Sequence, residues 1–358
     1  MYYRIQNGVI ILKKILIYLL SFILIIFIIP AFLTKRTTPT SSKKETERQL
    51  QDNNQQEQTT ENQTEISNKN TYNYSKYGTI SLLHKKTGEV EQVKLDEYLC
   101  NVVSAEMPAT FEQEALKAQA IVARTYTIYK ILNKKHDNAD ICDDSTCCQA
   151  WISKDDRLAK WEENQRESNW QKICSAVNET SGKIITYENK PIDAFFHSNS
   201  GGITEVPVNV WGGTGYPYLQ SVETSGENTY TQYASEVTLS QEELINKLKE
   251  KYSDISIDFT NSEDIKILEY TESTRVKTVK FGNHEISGVE ARTLFGLKST
   301  NFEISRDGNN IKFSVKGYGH GVGMSQTGAD SMAKNGSRAE EIIKHFYTGV
   351  EITEVNKL

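Results

Sequence analysis

Glu106 stands in the hexapeptide Val103-Ser104-Ala105-Glu106-Met107-Pro108, a lone carboxylate among small and apolar neighbours at the mouth of a strongly helical run. A carboxyl group in apolar surroundings keeps its proton near neutral pH, which suits a general acid for a glycosidic or acyl leaving group. An acid that merely complements a helix dipole has the same local sequence. On the helix that follows, Lys117 and Arg124 are seven residues apart and share a stripe. Two cations there are suited to an anionic or acetamido-bearing ligand, or simply to solvent. His197 beside Ser198-Asn199-Ser200-Gly201-Gly202, and His320 within Gly319-His320-Gly321-Val322-Gly323, follow apolar strands and lie in glycine-rich loops. Glycine lets backbone approach a ligand closely, and a histidine there can bond sugar hydroxyls or orient a carboxylate.

A second cluster is built for metal. His136, Cys142, Cys147 and Cys148 fall in one short polar loop and supply four soft or borderline ligands, a set that suits tetrahedral zinc. Ordinary thiols are the alternative. Four protein ligands would close the coordination sphere, so such a zinc would fasten the loop and not hydrolyse anything. The loop aspartates lack the glycine and terminal glutamate of a calcium loop. With five cysteines in all, three of them crowded together, the chain does not read as a disulfide framework.

Positioning these groups requires both helices and strands. Alternating runs over residues 77–93 predict a hairpin, and the alanine-rich run predicts a long helix over 112–132. A second helix is expected over 168–180. Strands at 184–187 and 193–197 are expected to pair around an Asn-Lys-Pro turn. Ser240-Gln241-Glu242-Glu243 reads as a helix cap, 255–279 as alternating strands and 287–293 as the start of a short helix. Residues 223–310 are taken as a smaller α/β subdomain inserted into an α+β main domain that carries the active-site cleft. The glycine run before Gln326 lacks the Lys-Ser/Thr ending of a nucleotide loop.

The 358 residues allow one or two domains, and a formal charge of −6 gives no support to a nucleic-acid partner. Residues 15–33 are almost unbroken Ile, Leu and Phe, just long enough to span a bilayer as a helix. No small-residue cleavage site follows, so an uncleaved transmembrane anchor is expected, with 1–14 cytoplasmic. Residues 34–72, rich in Thr, Ser, Gln, Asn, Glu and Lys, read as a disordered tether to a domain over 73–358.

Several segments occur in a telling order: Val102-Val103-Ser104-Ala105-Glu106-Met107-Pro108; Ala115-Leu116-Lys117-Ala118-Gln119-Ala120 with Arg124-Thr125-Tyr126; His197-Ser198-Asn199-Ser200-Gly201-Gly202; Tyr218-Leu219-Gln220-Ser221-Val222; and Gly319-His320-Gly321-Val322-Gly323-Met324-Ser325-Gln326. Together they resemble the stage II sporulation protein D family, which includes amidase-enhancer domains, over Tyr77 to the C-terminus. The resemblance implies a lytic transglycosylase that cuts peptidoglycan glycan strands during forespore engulfment. By the motif match Glu106 is the catalytic acid, with Lys117, Arg124, His197, Ser200, His320, Ser325 and Gln326 as substrate-binding residues. His136, Cys142, Cys147 and Cys148 resemble a zinc site of some members. The implied partners are a cell-wall amidase/endopeptidase (sporulation protein P) and a membrane scaffold (sporulation protein M). The implied location is the mother-cell membrane, with the catalytic domain facing the engulfment space. The competing expectation is a non-catalytic wall-binding module that activates an amidase.

Overall fold

The computed structural model describes residues 72–358. The expected anchor at 15–33 and nearly all of the expected tether lie outside the described residues. Among the described residues no helix is long and apolar enough to cross a membrane. The fold is mixed α+β.

The chain opens with the hairpin β1 (Thr79–Leu83) and β2 (Val90–Lys94), paired from Thr79↔Lys94 to Leu83↔Val90. Helix α1 (Leu95–Glu106) follows directly, then α2 (Gln113–Leu132). Buried positions on α2 run almost all round the helix, from Ala115 to Ile128. A helix apolar on every face belongs at the centre of a fold. Its alanines let α1, α4 (Arg166–Glu179), β4 (Lys183–Tyr187) and the two C-terminal helices pack on it. Between them come β3 (Ile141–Cys142), which joins β1 in parallel, and α3 (Lys154–Ala159), capped by Ser153.

The expected pairing of 184–187 with 193–197 does not form. β4 turns at Glu188 and Asn189, both with positive φ (50° and 61°), and pairs with β5 (Lys190–Pro191). Two consecutive left-handed residues make a tight hairpin turn that returns the chain at once. That frees β6 (Phe196–His197) to pair elsewhere, ahead of the short helix α5 (Pro207–Trp211).

A second apolar cluster, from Leu239 to Val315, forms its own core. It comprises β7 (Ala234–Ser240), α6 (Gln241–Lys249), β8 (Ile265–Tyr270), β9 (Val276–Phe281), β10 (His284–Ser287), α7 (Gly288–Phe295), β11 (Asn301–Asp307) and β12 (Asn310–Lys316), in sheets ordered β11-β12-β7 and β10-β9-β8. Ser240 and Glu243 close a reciprocal capping box on α6. Its edges differ from the expected 223–310. Residues 223–233 side with the main core, where Glu227 bonds Ser200 and Tyr230 bonds Asp330. β12 completes the subdomain sheet.

The chain then re-enters the main core through β13 (Met324–Ser325), α8 (Gln326–Lys334), α9 (Ala339–Phe346) and β14 (Glu351–Glu354), which pairs with β4. β13 runs parallel to β6, in the register Met324↔Phe196 and Ser325↔His197. This pairing brings the two glycine-rich loops side by side.

Candidate active site and metal cluster

Glu106 is the last residue of α1, not the opening of α2. Six residues, Met107 to Glu112, separate the two helices. Unpaired carbonyls at a helix C-terminus carry partial negative charge and disfavour a carboxylate. Burial acts in the same sense and holds Glu106 above the usual carboxylate range, opposed by hydrogen bonds from Ala150 and Gln326. Ala150 N–H donates to Oε1 at 2.7 Å, and Gln326 Nε2 donates to Oε2 at 3.1 Å. Among the described residues no other carboxylate pairs with Glu106 or perturbs it. The group is a fixed, partly buried acid whose burial raises its affinity for a proton.

Gln326 reaches Glu106 from the first turn of α8, whose cap is Ser325. Ser325 and Ser200 are fully buried and do not face solvent. Their hydroxyls donate to Glu227, which also accepts from Thr224 Oγ1 at 2.7 Å and Gly202 N–H at 3.0 Å. Burial pushes Glu227 up, but hydrogen bonds from Ser200, Ser325 and Thr224 outweigh it and hold the carboxyl below its usual value. Glu227 thus clasps both glycine-rich loops. Ser200 and Ser325, expected on the substrate, are engaged in that clasp. No sequence motif singled out Glu227; its partners lie 98 residues downstream and 27 upstream.

His197 and His320 are drawn together, with ring centroids 5.7 Å apart. His197 Nδ1 bonds the Val322 carbonyl at 3.1 Å, which places its proton there, and Val322 N–H donates to His320 Nδ1 at 3.0 Å. Burial, with Arg275 nearby, drives the His197 pKa down to about 3; burial and His197 push His320 well down too. Both rings are neutral near pH 7. Their solvent-side neighbour is Trp211, half exposed, with its ring 5.0 Å from His320 and 4.6 Å from Phe195. An indole braced from below offers a flat apolar face to solvent.

The loop needs its glycines. A Cβ on Gly323 (φ +71°) would lie 2.0 Å from the Phe195 carbonyl oxygen, and one on Gly321 (φ +86°) would strike the Arg275 guanidinium. The buried Arg275 in turn donates Nη2 to the Ser200 carbonyl at 2.6 Å.

Lys117 and Arg124 are not brought to Glu106. Arg124 is wholly buried and donates to Asp96 Oδ1 (3.1 Å) and the carbonyls of Val177 (3.1 Å) and Thr180 (2.9 Å), tying α1, α2 and α4 together. Asp96 sits in the first turn of α1 and Glu106 in its last, about 15 Å apart along the axis. Lys117 is held by Glu114 (2.9 Å) and Glu179 (2.7 Å). Both cations of the shared stripe are thus paired within the protein, with Glu179 of α4 and Asp96 of α1.

The four expected metal ligands do converge. The ligand atoms of His136, Cys142, Cys147 and Cys148 all lie within 4.8 Å of one another. His136 Nε2 is 3.4 Å from Cys148 Sγ and 3.8 Å from Cys147 Sγ, and the two vicinal sulfurs are 3.9 Å apart, so they are not bonded. Tetrahedral zinc with Zn–S of about 2.3 Å and Zn–N of about 2.0 Å requires ligand separations of roughly 3.5–3.8 Å. The donor set and spacing fit zinc. Because β3 adds to β1 at Leu83↔Cys142, the cluster is fixed to the hairpin.

A family model described as stage II sporulation protein matches residues 83–187, the stretch holding Glu106 and all four cluster ligands. The chain is 36% identical over 271 residues to stage II sporulation protein D of Bacillus amyloliquefaciens, covering 75% of this chain and 76% of that one. It is 37% identical over 270 residues to the protein of the same name in Bacillus subtilis (strain 168), with the same coverage of 75% and 76%. A Bacillus subtilis protein named amidase enhancer is 29% identical over 307 residues, covering 71% of this chain and 40% of that one.

Proposed function

The chain belongs to the stage II sporulation protein D family, and from that premise we propose that it is a lytic transglycosylase of peptidoglycan glycan strands, acting during forespore engulfment. The observation that carries the reading is Glu106: a desolvated acid, oriented through both oxygens, with no second carboxylate paired to it among the described residues. Two-carboxylate glycosidases divide the work between an acid and a base or nucleophile. A single carboxylate suffices when the substrate supplies its own nucleophile.

In that mechanism protonated Glu106 donates to the oxygen linking N-acetylmuramic acid to N-acetylglucosamine, and the C1–O bond breaks. The resulting carboxylate then takes the proton of the muramyl 6-hydroxyl, whose oxygen closes on C1 as a 1,6-anhydro ring. Glu106 ends protonated, and no water enters. Gln326 and Ala150 orient the carboxyl without touching the bond that breaks. Trp211 offers a stacking face for a pyranose ring.

His136, Cys142, Cys147 and Cys148 would hold a zinc ion, which with four protein ligands supplies loop order and no open coordination position. The loop leads directly to Ala150, the Oε1 donor. The segment 15–33 would anchor the domain on the outer face of the mother-cell membrane. Sporulation proteins P and M are the proposed partners.

A second reading has its own support, since one relative is named amidase enhancer: a wall-binding module that activates an amidase. Peptide-free glycan strands incubated with the protein and with Glu106→Gln separate the two. Anhydro-ended products from the parent alone support the enzyme; no products from either protein support the activator.

A further inference from the structure

A cavity of about 500 Å³ opens where α7 ends, lined by Arg292, Thr293, Gly296, Leu297, Lys298 and Tyr318. None of the lining residues is acidic, and two are cations. Arg292 Nε reaches the Leu297 carbonyl at 3.4 Å. Carbonyls at the end of α7 account for that one contact. The Nη1 and Nη2 fork is a different matter: among the described residues no carboxylate lies within salt-bridge distance of it or of the Lys298 ammonium. Lys298 Nζ rests instead 5.1 Å above the Tyr318 ring. Burial pulls the Arg292 pKa down, so the guanidinium is being desolvated without a counter-charge. A partly dehydrated, unpaired guanidinium fork beside an ammonium matches a carboxylate in charge and shape.

The cavity is also placed to serve the proposed site. Gly319 N–H donates to the Lys298 carbonyl at 2.9 Å, and Tyr318 exchanges backbone bonds with Asn199. Its wall therefore continues into the loop that carries His320, Ser325 and Gln326. Along a glycan strand N-acetylglucosamine is neutral. Muramic acid bears a carboxylate, either on its free lactyl group or on the peptide attached there. Resting on the glycan reading above, we propose that this cavity is a carboxylate subsite that engages the muramic-acid side of the strand.

The test is binding by the full chain carrying Glu106→Gln, so that bound strands stay uncut. Three probes are compared: a chitin oligosaccharide, which has no carboxylate; peptide-free glycan strands; and strands with stem peptides. Arg292→Gln and, separately, Lys298→Gln should weaken binding of a carboxylate-bearing probe about tenfold and leave the chitin oligosaccharide unchanged. Loss on peptide-free strands identifies the lactyl carboxylate; loss confined to peptide-bearing strands identifies the stem. Arg292 is half buried, so each variant is melted first, and the exposed Lys298 decides if Arg292→Gln fails to fold. Equal losses on all three probes, or none on any, overturn the subsite. If the Glu106→Gln parent binds no probe, the glycan reading falls and takes the subsite with it. If the parent binds and the variants match it, only the subsite falls.

Discussion

Ala150 donates its backbone N–H to Glu106 Oε1 at 2.7 Å, two residues after Cys148. The loop that carries Cys147 and Cys148 thus also supplies a backbone donor to the acid at the end of α1. Replacing Cys142 with Ser is expected to abolish stoichiometric zinc, lower the melting temperature and reduce glycan cleavage in proportion to the folded fraction. Metal analysis and thermal melts with and without chelator check this. A chelated chain that melts at its original temperature would mean that the four residues fasten nothing.

Glu106→Gln should remove cleavage and leave the fold intact. Its effect on stability carries a sign. The Glu106 pKa is raised by burial, so ionisation costs more in the folded chain than in the unfolded one. That cost is absent below the unfolded value, about 4.3, and grows as pH rises through the folded pKa. The variant should therefore melt as high as the parent or higher at pH 7, and its advantage should vanish at low pH.

Gln326→Ala removes a donor to the charged form of Glu106 and should push that pKa further up. The alkaline limb of the cleavage profile, where the acid loses its proton, would then move to higher pH, with a loss of about tenfold at the optimum as the carboxyl loses orientation. An unshifted limb with reduced binding would make Gln326 a substrate contact instead of a positioning residue.

Lys117 and Arg124, which the motif match implies on substrate, are held in ion pairs within the protein. Arg124→Met should cost about 3–5 kcal/mol, because Asp96 and buried carbonyls lose their partner. The fraction still folded should cleave at the parental rate. Lys117→Gln, at a partly exposed pair, should change stability by no more than about 1 kcal/mol. Urea unfolding and cleavage at low temperature measure both.

Gly323→Ala should destabilise by about 2 kcal/mol or more, since it combines a left-handed backbone with a Cβ 2.0 Å from the Phe195 oxygen. Because β13 aligns Ser325 with His197, the same change should also perturb Gln326 and cleavage. Denaturant unfolding monitored together with activity reads both effects.

What was legible in the sequence was local. The hairpin, the alanine-rich helix and the compact His/Cys loop each announce themselves within about twenty residues, because hydrophobic period and ligand spacing are short-range signals. Partnerships across the chain were not. Periodicity shows that Arg124 and Lys117 share a stripe but not that α1 and α4 cover it. The segment from 193 pairs with β13 and not with β4, because two left-handed residues, Glu188 and Asn189, turn β4 back early. Glu227 gave no local sign, since its meaning comes from Ser200 and Ser325 on separate loops.

The most direct measurement is the product formed from peptide-free strands in heavy-oxygen water, read by mass. Ring closure by the muramyl 6-hydroxyl yields an end lighter by one water than the hydrolysis product and free of solvent oxygen, and Glu106→Gln yields none of it. A reducing end carrying the heavy oxygen would contradict the one-carboxylate mechanism and require a second group to activate water.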